Sequence, residues 1–181
     1  MSEGGQPPRL WEGMLEIYAA PGVSRACVEA QDACGVDVLL LLSAVVLARS
    51  GLRLSPSMAD AMLETTRHWQ SEVVLPLRVL RRRWRGNPAA AELRERVKAI
   101  ELEAERVEVE ALQAVLDAGT PPPEATPGGE LLADNLAVLD ICSEKHGDCA
   151  AAMASLRDCL RRALGPDGRH LLSGLAQLKR E

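Results

Sequence analysis

"VVLPLRVLRRRWRGNPAAAELRERVKAIELEAERVEVEALQAVLDA", Val73 to Ala118, decides the fold. Leu93, Val97, Ile100, Ala104, Val107, Ala111 and Ala114 alternate spacings of four and three, a heptad stripe on a helix from about Ala89 to Ala118. Val73, Leu77, Leu80 and Trp84 repeat the pattern on a helix from about Ser71 to Arg85. "GNP" at Gly86 to Pro88 joins them by a short turn, so the stretch reads as an antiparallel helical hairpin over 71–118.

The rest of the chain reads the same way. Leu10 to Ala20 and Ser24 to Cys34 are helical, the second ending at Gly35 in the position that favours a left-handed glycine. Asp37 is placed to cap "VLLLLSAVVLARSG", which is apolar on every side and belongs in the middle of a bundle. Ser55 and Pro56 are an N-cap and N1 pair opening a helix to about Gln70. "GTPPPEATPGGE", 119–130, is a stiff linker. Helices follow at about Leu131 to Lys145, Asp148 to Leu164 and Gly168 to Lys179. No segment alternates like a strand. The expected class is all-α: a compact bundle of about eight helices in all, with a helical bundle over 9–118 and the C-terminal helices of 131–180 packed on the same domain, though the linker also permits a separate unit. Trp11, Tyr18, Leu39 to Leu42, Val45, Val46, Leu77, Leu80, Trp84, Val97 and Ile100 are the expected core or half-buried residues.

The 181 residues suit one domain, and 47% apolar composition excludes a disordered chain. With no Phe and one Tyr, stacking platforms for single-stranded nucleic acid are disfavoured. The net charge of −5 disfavours a globally basic nucleic-acid binder. No basic start with an apolar run opens the chain, and Val38 to Ala48 is too short to span a bilayer, so a cytoplasmic location is expected. The five cysteines are then expected as free thiols.

Five blocks occur in order: "LWEGMLEIYAAPGV", "ACVEAQDACGVDVLLLL", "LARSGLRLS", "WQSEVVLPLRVLRRR" and "ELEAERVEVEAL". Over about Leu10 to Leu116 they resemble a mainly proteobacterial family described only as a domain of unknown function. The resemblance implies a small helical cytoplasmic protein. It implies no activity and supplies no catalytic residue.

Little in the sequence speaks for catalysis, a cofactor or a metal. Cys27 and Cys34, like Cys142 and Cys149, are seven apart, wider than the close pairs structural zinc uses, and buried small side chains are the expected role. No Glu-x-x-His di-iron signature and no glycine-rich phosphate cradle occurs. His68, His146 and His170 stand without a nucleophile motif. Glu101, Glu105 and Glu108 share a helix face that reads as solvated. An enzyme would need buried Glu64, His68 or Glu105 in a deep pocket with displaced pKa values.

Five arginines lie between Arg78 and Arg85. At roughly 100° per residue, Arg81, Arg82 and Arg85 fall within about 60° of Arg78, opposite the apolar stripe. With the turn near Asn87, Arg85 is expected beside Glu92, Arg81 beside Glu95 and Arg78 near Lys98, with the acidic run beyond reach. The hairpin tip, with Arg78, Arg81, Arg82, Arg85, Arg94 and Lys98, is then a positive patch suited to carboxylate or phosphate groups. The expected function is a non-enzymatic cytoplasmic adaptor or regulator using this face. A protein partner ranks first, nucleic acid second and an anionic membrane last. The stripes leave oligomeric state open, since either could close on a second copy.

Overall fold

A computed structural model describes residues 8–119, 129–139 and 149–165. Eight α-helices occur among them: α1 Leu10–Tyr18, α2 Val23–Cys34, α3 Val38–Arg49, α4 Pro56–Trp69, α5 Leu75–Arg83, α6 Ala91–Ala118, α7 Gly129–Leu139 and α8 Cys149–Ala163. The described residues contain no strand, and the chain is all-α. The linker of 120–128 and the helix expected at Gly168 to Lys179 lie outside the described residues, as do His146, His170 and Cys142.

The sequence signals set several helix ends. The carboxylate of Asp37 accepts from the Leu40 amide at 3.0 Å, satisfying one of the donors that a helix start leaves unpaired. The Ser55 hydroxyl accepts from Met58 at 3.3 Å, with Pro56 at the first helical position. Gly35 ends α2 with a φ of 63°, a conformation that costs glycine nothing. The first amide of α1 is satisfied from across the fold, donating to the Gln113 side chain of α6 at 2.8 Å.

Helix α3 is the hub. Its residues from Leu40 to Ala48 are all buried. Helices α1 and α7 pack on it, α1 and α4 pack on α6, and α8 lies along α2. Gly13 lets α1 approach, because a Cβ there would sit 2.9 Å from a Val46 methyl. Helix α7 is tied in by the fully buried Asn135, which accepts from the Leu54 amide at 2.8 Å and donates to the Leu52 carbonyl at 3.0 Å. Leu132, Leu136 and Leu139 are buried beside it. Each such leucine contributes about 1.5–3 kcal/mol by leaving water.

Helices α4 and α5 form one continuous helical path broken by a π-helical turn, Gln70–Val74. Pro76 accounts for it: an α-helical ring would collide with the carbonyl four residues back, and the wider turn relieves that.

Three expectations about burial and bonding are corrected. Tyr18, Leu80 and Ile100 are exposed rather than core. Along the α6 stripe, Val97 and Ala104 are buried, but Leu93, Ile100 and Val107 face solvent. The face turned into the protein is centred instead on Glu101, Ala104 and Glu108, because only one flank of the stripe is covered by other helices. Finally, Cys34 at the end of α2 is joined to Cys149 at the start of α8 by a disulfide, with Cα atoms 4.9 Å apart, so not all the thiols are free. Spacing within a helix hides this pair, since its members are 115 residues apart. Cys27 and Cys159 are free and buried. Burial, with the neighbouring Cys159 thiol, pushes Cys27 up to about 12, so it is inert at neutral pH.

Candidate functional site

The inner side of the hairpin is ionic. Arg78 on α5 is only 8% exposed. Its Nε donates to Glu101 at 2.9 Å and its Nη2 to Glu105 at 2.7 Å, both on α6. Arg81 gives two more donors to Glu101, Nη2 at 3.0 Å and Nε in a shorter contact. The register expected from a turn near Asn87 is therefore corrected: Arg78 meets Glu101 and Glu105, about one helical turn beyond Lys98. The connection is longer than a tight turn, since a 3₁₀ turn at Pro88–Ala90 precedes α6. Long side chains also reach diagonally across the hairpin.

Burial and pairing set the carboxylates apart from one another. Burial raises Glu101, but Arg81 and Arg78 outweigh it and hold this carboxyl below its ordinary value. Glu105 goes the other way, because burial exceeds the attraction of Arg78 and Glu101 adds repulsion. Glu108, 1% exposed, is raised to about 8 by burial and by the charge of Asp37. It accepts from the Gln70 amide at 2.9 Å, and Gln70 is delivered by the π-helical turn. Asp37 is itself raised by burial, despite the Leu40 and Leu39 amides and Arg78. Trp69 closes the edge, its indole donating to the Ala104 carbonyl at 2.8 Å.

Beside this cluster a cleft of about 620 Å³ opens between α1, α2, α3, α5 and α6. The apolar lining from α1 and α3 includes Trp11, Met14, Leu15 and Leu39, and Leu102 adds an apolar side chain from α6. The opposite wall is the ionic cluster, including Arg78, Arg81 and Glu105. Arg78 brings one nitrogen that the ion pairs do not use: Nη1 is buried and has no hydrogen-bond partner among the described residues. A shallower hollow of about 440 Å³ is lined by Glu64, His68, Trp69 and Val107. Glu64 and His68 are themselves exposed there. Of the three groups named for an enzyme, Glu105 alone is sequestered in a cleft. No three metal-ligating side chains converge among the described residues.

The expected basic patch is divided. Arg78 and Arg81 point inward and are consumed by Glu101 and Glu105. Arg82 pairs with Asp32 of α2, and Arg94 and Lys98 both pair with Glu95. Arg85 is exposed and has no ion pair among the described residues, as do Arg83 and Arg96, which the sequence reading left out. Leu93 and Ile100 of α6, on the same helix as Arg96, are 48% and 51% exposed. On a helical wheel Leu77 and Trp84 of α5, and Leu93 and Ile100 of α6, lie about 80–120° to the same side of the buried charges. Equal offsets on antiparallel helices converge, so these residues form one outer seam.

The model of a family described as "Protein of unknown function (DUF2390)" matches residues 9–112. The chain belongs to this family, in agreement with the resemblance read from the five sequence blocks. The family description carries no activity and no site residues. No curated protein and no solved structure matches the chain. No helix among the described residues is long and apolar enough to cross a membrane.

Proposed function

We propose that the protein is a non-enzymatic adaptor or regulator, and that its working surface is the outer seam of the α5–α6 hairpin. The observation that supports this is the exposure of Leu93 and Ile100 on α6 in a hairpin that also exposes Arg83, Arg85 and Arg96, none of which has an ion pair among the described residues. Charge complementarity selects the occupant: a partner protein presenting an apolar helix edged with acidic residues. Of the residues expected from the sequence, Arg85 stays in this surface. Arg78 and Arg81 act from inside, holding α5 to α6 through Glu101 and Glu105, and their reversal to Glu is expected to unfold the hairpin rather than only abolish contact.

Pull-down from the native host with and without nuclease tests the reading. Wild type is compared with Ile100→Lys and with the triple variant Arg83→Glu, Arg85→Glu, Arg96→Glu, all checked for unchanged helicity. A protein retained after nuclease and lost with both variants supports it. Recovery of nucleic acid alone, lost steeply with salt, replaces it with a nucleic-acid regulator. Sedimentation showing a dimer that Ile100→Lys makes monomeric names a second copy as the occupant. Identical material with all three proteins refutes the outer seam. The reading also keeps the cytoplasmic location, where Cys34 and Cys149 stay as thiols and join only when the protein meets an oxidising medium. Thiol trapping in growing cells tests that part, since a fully formed Cys34–Cys149 bond contradicts a reducing compartment.

A further inference from the structure

We infer that the cleft between the hairpin and helices α1 to α3 binds a small amphipathic monocarboxylic acid, its carboxylate on Nη1 of Arg78 and its apolar body along Trp11, Leu15, Leu39 and Leu102. Three independent features lead there. The cleft volume, about 620 Å³, lies in the range of small-molecule sites, roughly 300–1,000 Å³. Its lining is apolar on one side and polar on the other, which orients a ligand with one polar end. Arg78 lines the cleft at 8% exposed and keeps one guanidinium nitrogen unpaired, although such groups are nearly always satisfied; that nitrogen has no open surface, so a small turn of the side chain uncovers it for the ligand.

The missing partner must be an acceptor, since guanidinium only donates. That excludes an amine as the polar end. The charge balance excludes a dianion. Arg78 and Arg81 face Glu101 and Glu105, so the wall carries no large positive surplus, and a phosphate would meet two carboxylates. A single negative charge fits: Glu101 is held ionised by the two arginines, while burial inclines Glu105 to take up a proton. Leu15 and Leu102 are exposed at the apolar wall, and a hydrocarbon chain against them leaves water at no steric cost. This site is separate from the outer seam, so its success or failure leaves the adaptor reading untouched.

Octanoate and 4-phenylbutyrate are the probes, with octanol and octylamine as controls, titrated into the full chain by calorimetry and by Trp fluorescence. Both acids are expected to bind saturably, and octanol and octylamine at least about tenfold more weakly, the difference a charge-assisted hydrogen bond makes. Leu102→Trp places bulk in the cleft from an exposed position, so it folds normally; it should weaken both acids by about tenfold or more. Arg78→Lys should weaken octanoate and leave the weaker octanol unchanged. Ile100→Lys, on the outer seam, should leave octanoate affinity unchanged. Equal binding of octanol and octanoate, equal binding by Leu102→Trp, or no saturable binding of either acid overturns the proposal.

Discussion

In α3 every residue from Leu40 to Ala48 is buried, and the one polar member, Ser43, returns its hydroxyl to the Leu39 carbonyl at 2.8 Å. In the α5–α6 hairpin the deepest side chains include Arg78, Glu101 and Glu108, while Val79, Ile100 and Leu102 are each more than half exposed. The first region keeps apolar groups in and charge out. The second departs from this where its two helices meet, burying charge there while Val109, Leu112 and Leu116 stay buried further along α6. A buried ion pair costs desolvation that its attraction only partly returns, so it contributes less net stability than an apolar core of equal volume. What it supplies is geometry, because guanidinium and carboxylate meet only in a narrow set of orientations. The lesson is that the body supplies stability and the hairpin supplies two surfaces, an ionic wall inside and an apolar seam outside.

The largest expected effect comes from removing one side of the ionic wall. Arg78→Met leaves Glu101 and Glu105 facing each other in a buried site and should cost about 3–5 kcal/mol in urea unfolding. A loss below about 1 kcal/mol would mean that the cluster is solvated, and the contrast with α3 would disappear. Next comes the clasp between α2 and α8. Cys34→Ser should lower stability by about 2–4 kcal/mol without reductant, and the difference from wild type should vanish when both are reduced. Peptide mapping should recover Cys34 linked to Cys149.

Acidity sharpens the same comparison at an intermediate level. Glu108 titrates near 8 in the folded chain and at an ordinary carboxylate value when unfolded. The folded state therefore holds the proton more tightly. Its contribution is fully present at acid pH and is lost as pH rises through about 8. Glu105 and Asp37, also raised, act with the same sign. Wild type should lose on the order of 1–3 kcal/mol between mildly acid and mildly alkaline pH, and Glu108→Gln should flatten much of that slope while keeping an acceptor for Gln70. The smallest effect belongs to the outer seam. Leu93→Ser should change stability by no more than about 0.5 kcal/mol, since its side chain already faces water.

Much of the scaffold was legible because it is written in local chemistry. Asp37, Ser55 with Pro56, and Gly35 each mark a helix end by a bond or a backbone angle that depends on immediate neighbours. An all-apolar run such as Leu39 to Ala48 can only be central. The orientation of the hairpin was not legible. Its two helices each carry an apolar stripe and a charged face, and either can be turned inward if the charges find partners. Which one is turned inward depends on the connection at Pro88–Ala90, which sets the register, and on the π-helical turn, which rotates α5 relative to α4. The cleft was beyond reach for the same reason: Trp11, Leu39, Arg78 and Leu102 share no local pattern. Arg78, Arg81, Glu101 and Glu105 were each singled out in the sequence, but as a surface patch and a solvated face rather than as the wall of one cleft. The orphaned Arg78 nitrogen has no sequence signal at all.

Ile100 and Glu101 are neighbours in the chain that point about 100° apart, one to solvent and one into the protein, and they give the most direct test. Urea unfolding of Ile100→Ser and Glu101→Ala would be compared under one set of conditions. The inverted hairpin predicts a change within about 0.5 kcal/mol for Ile100→Ser and a loss of about 3–5 kcal/mol for Glu101→Ala, which strands Arg78 and Arg81. A heavy loss at Ile100 with little at Glu101 would mean that the heptad stripe faces inward after all, and would contradict the account.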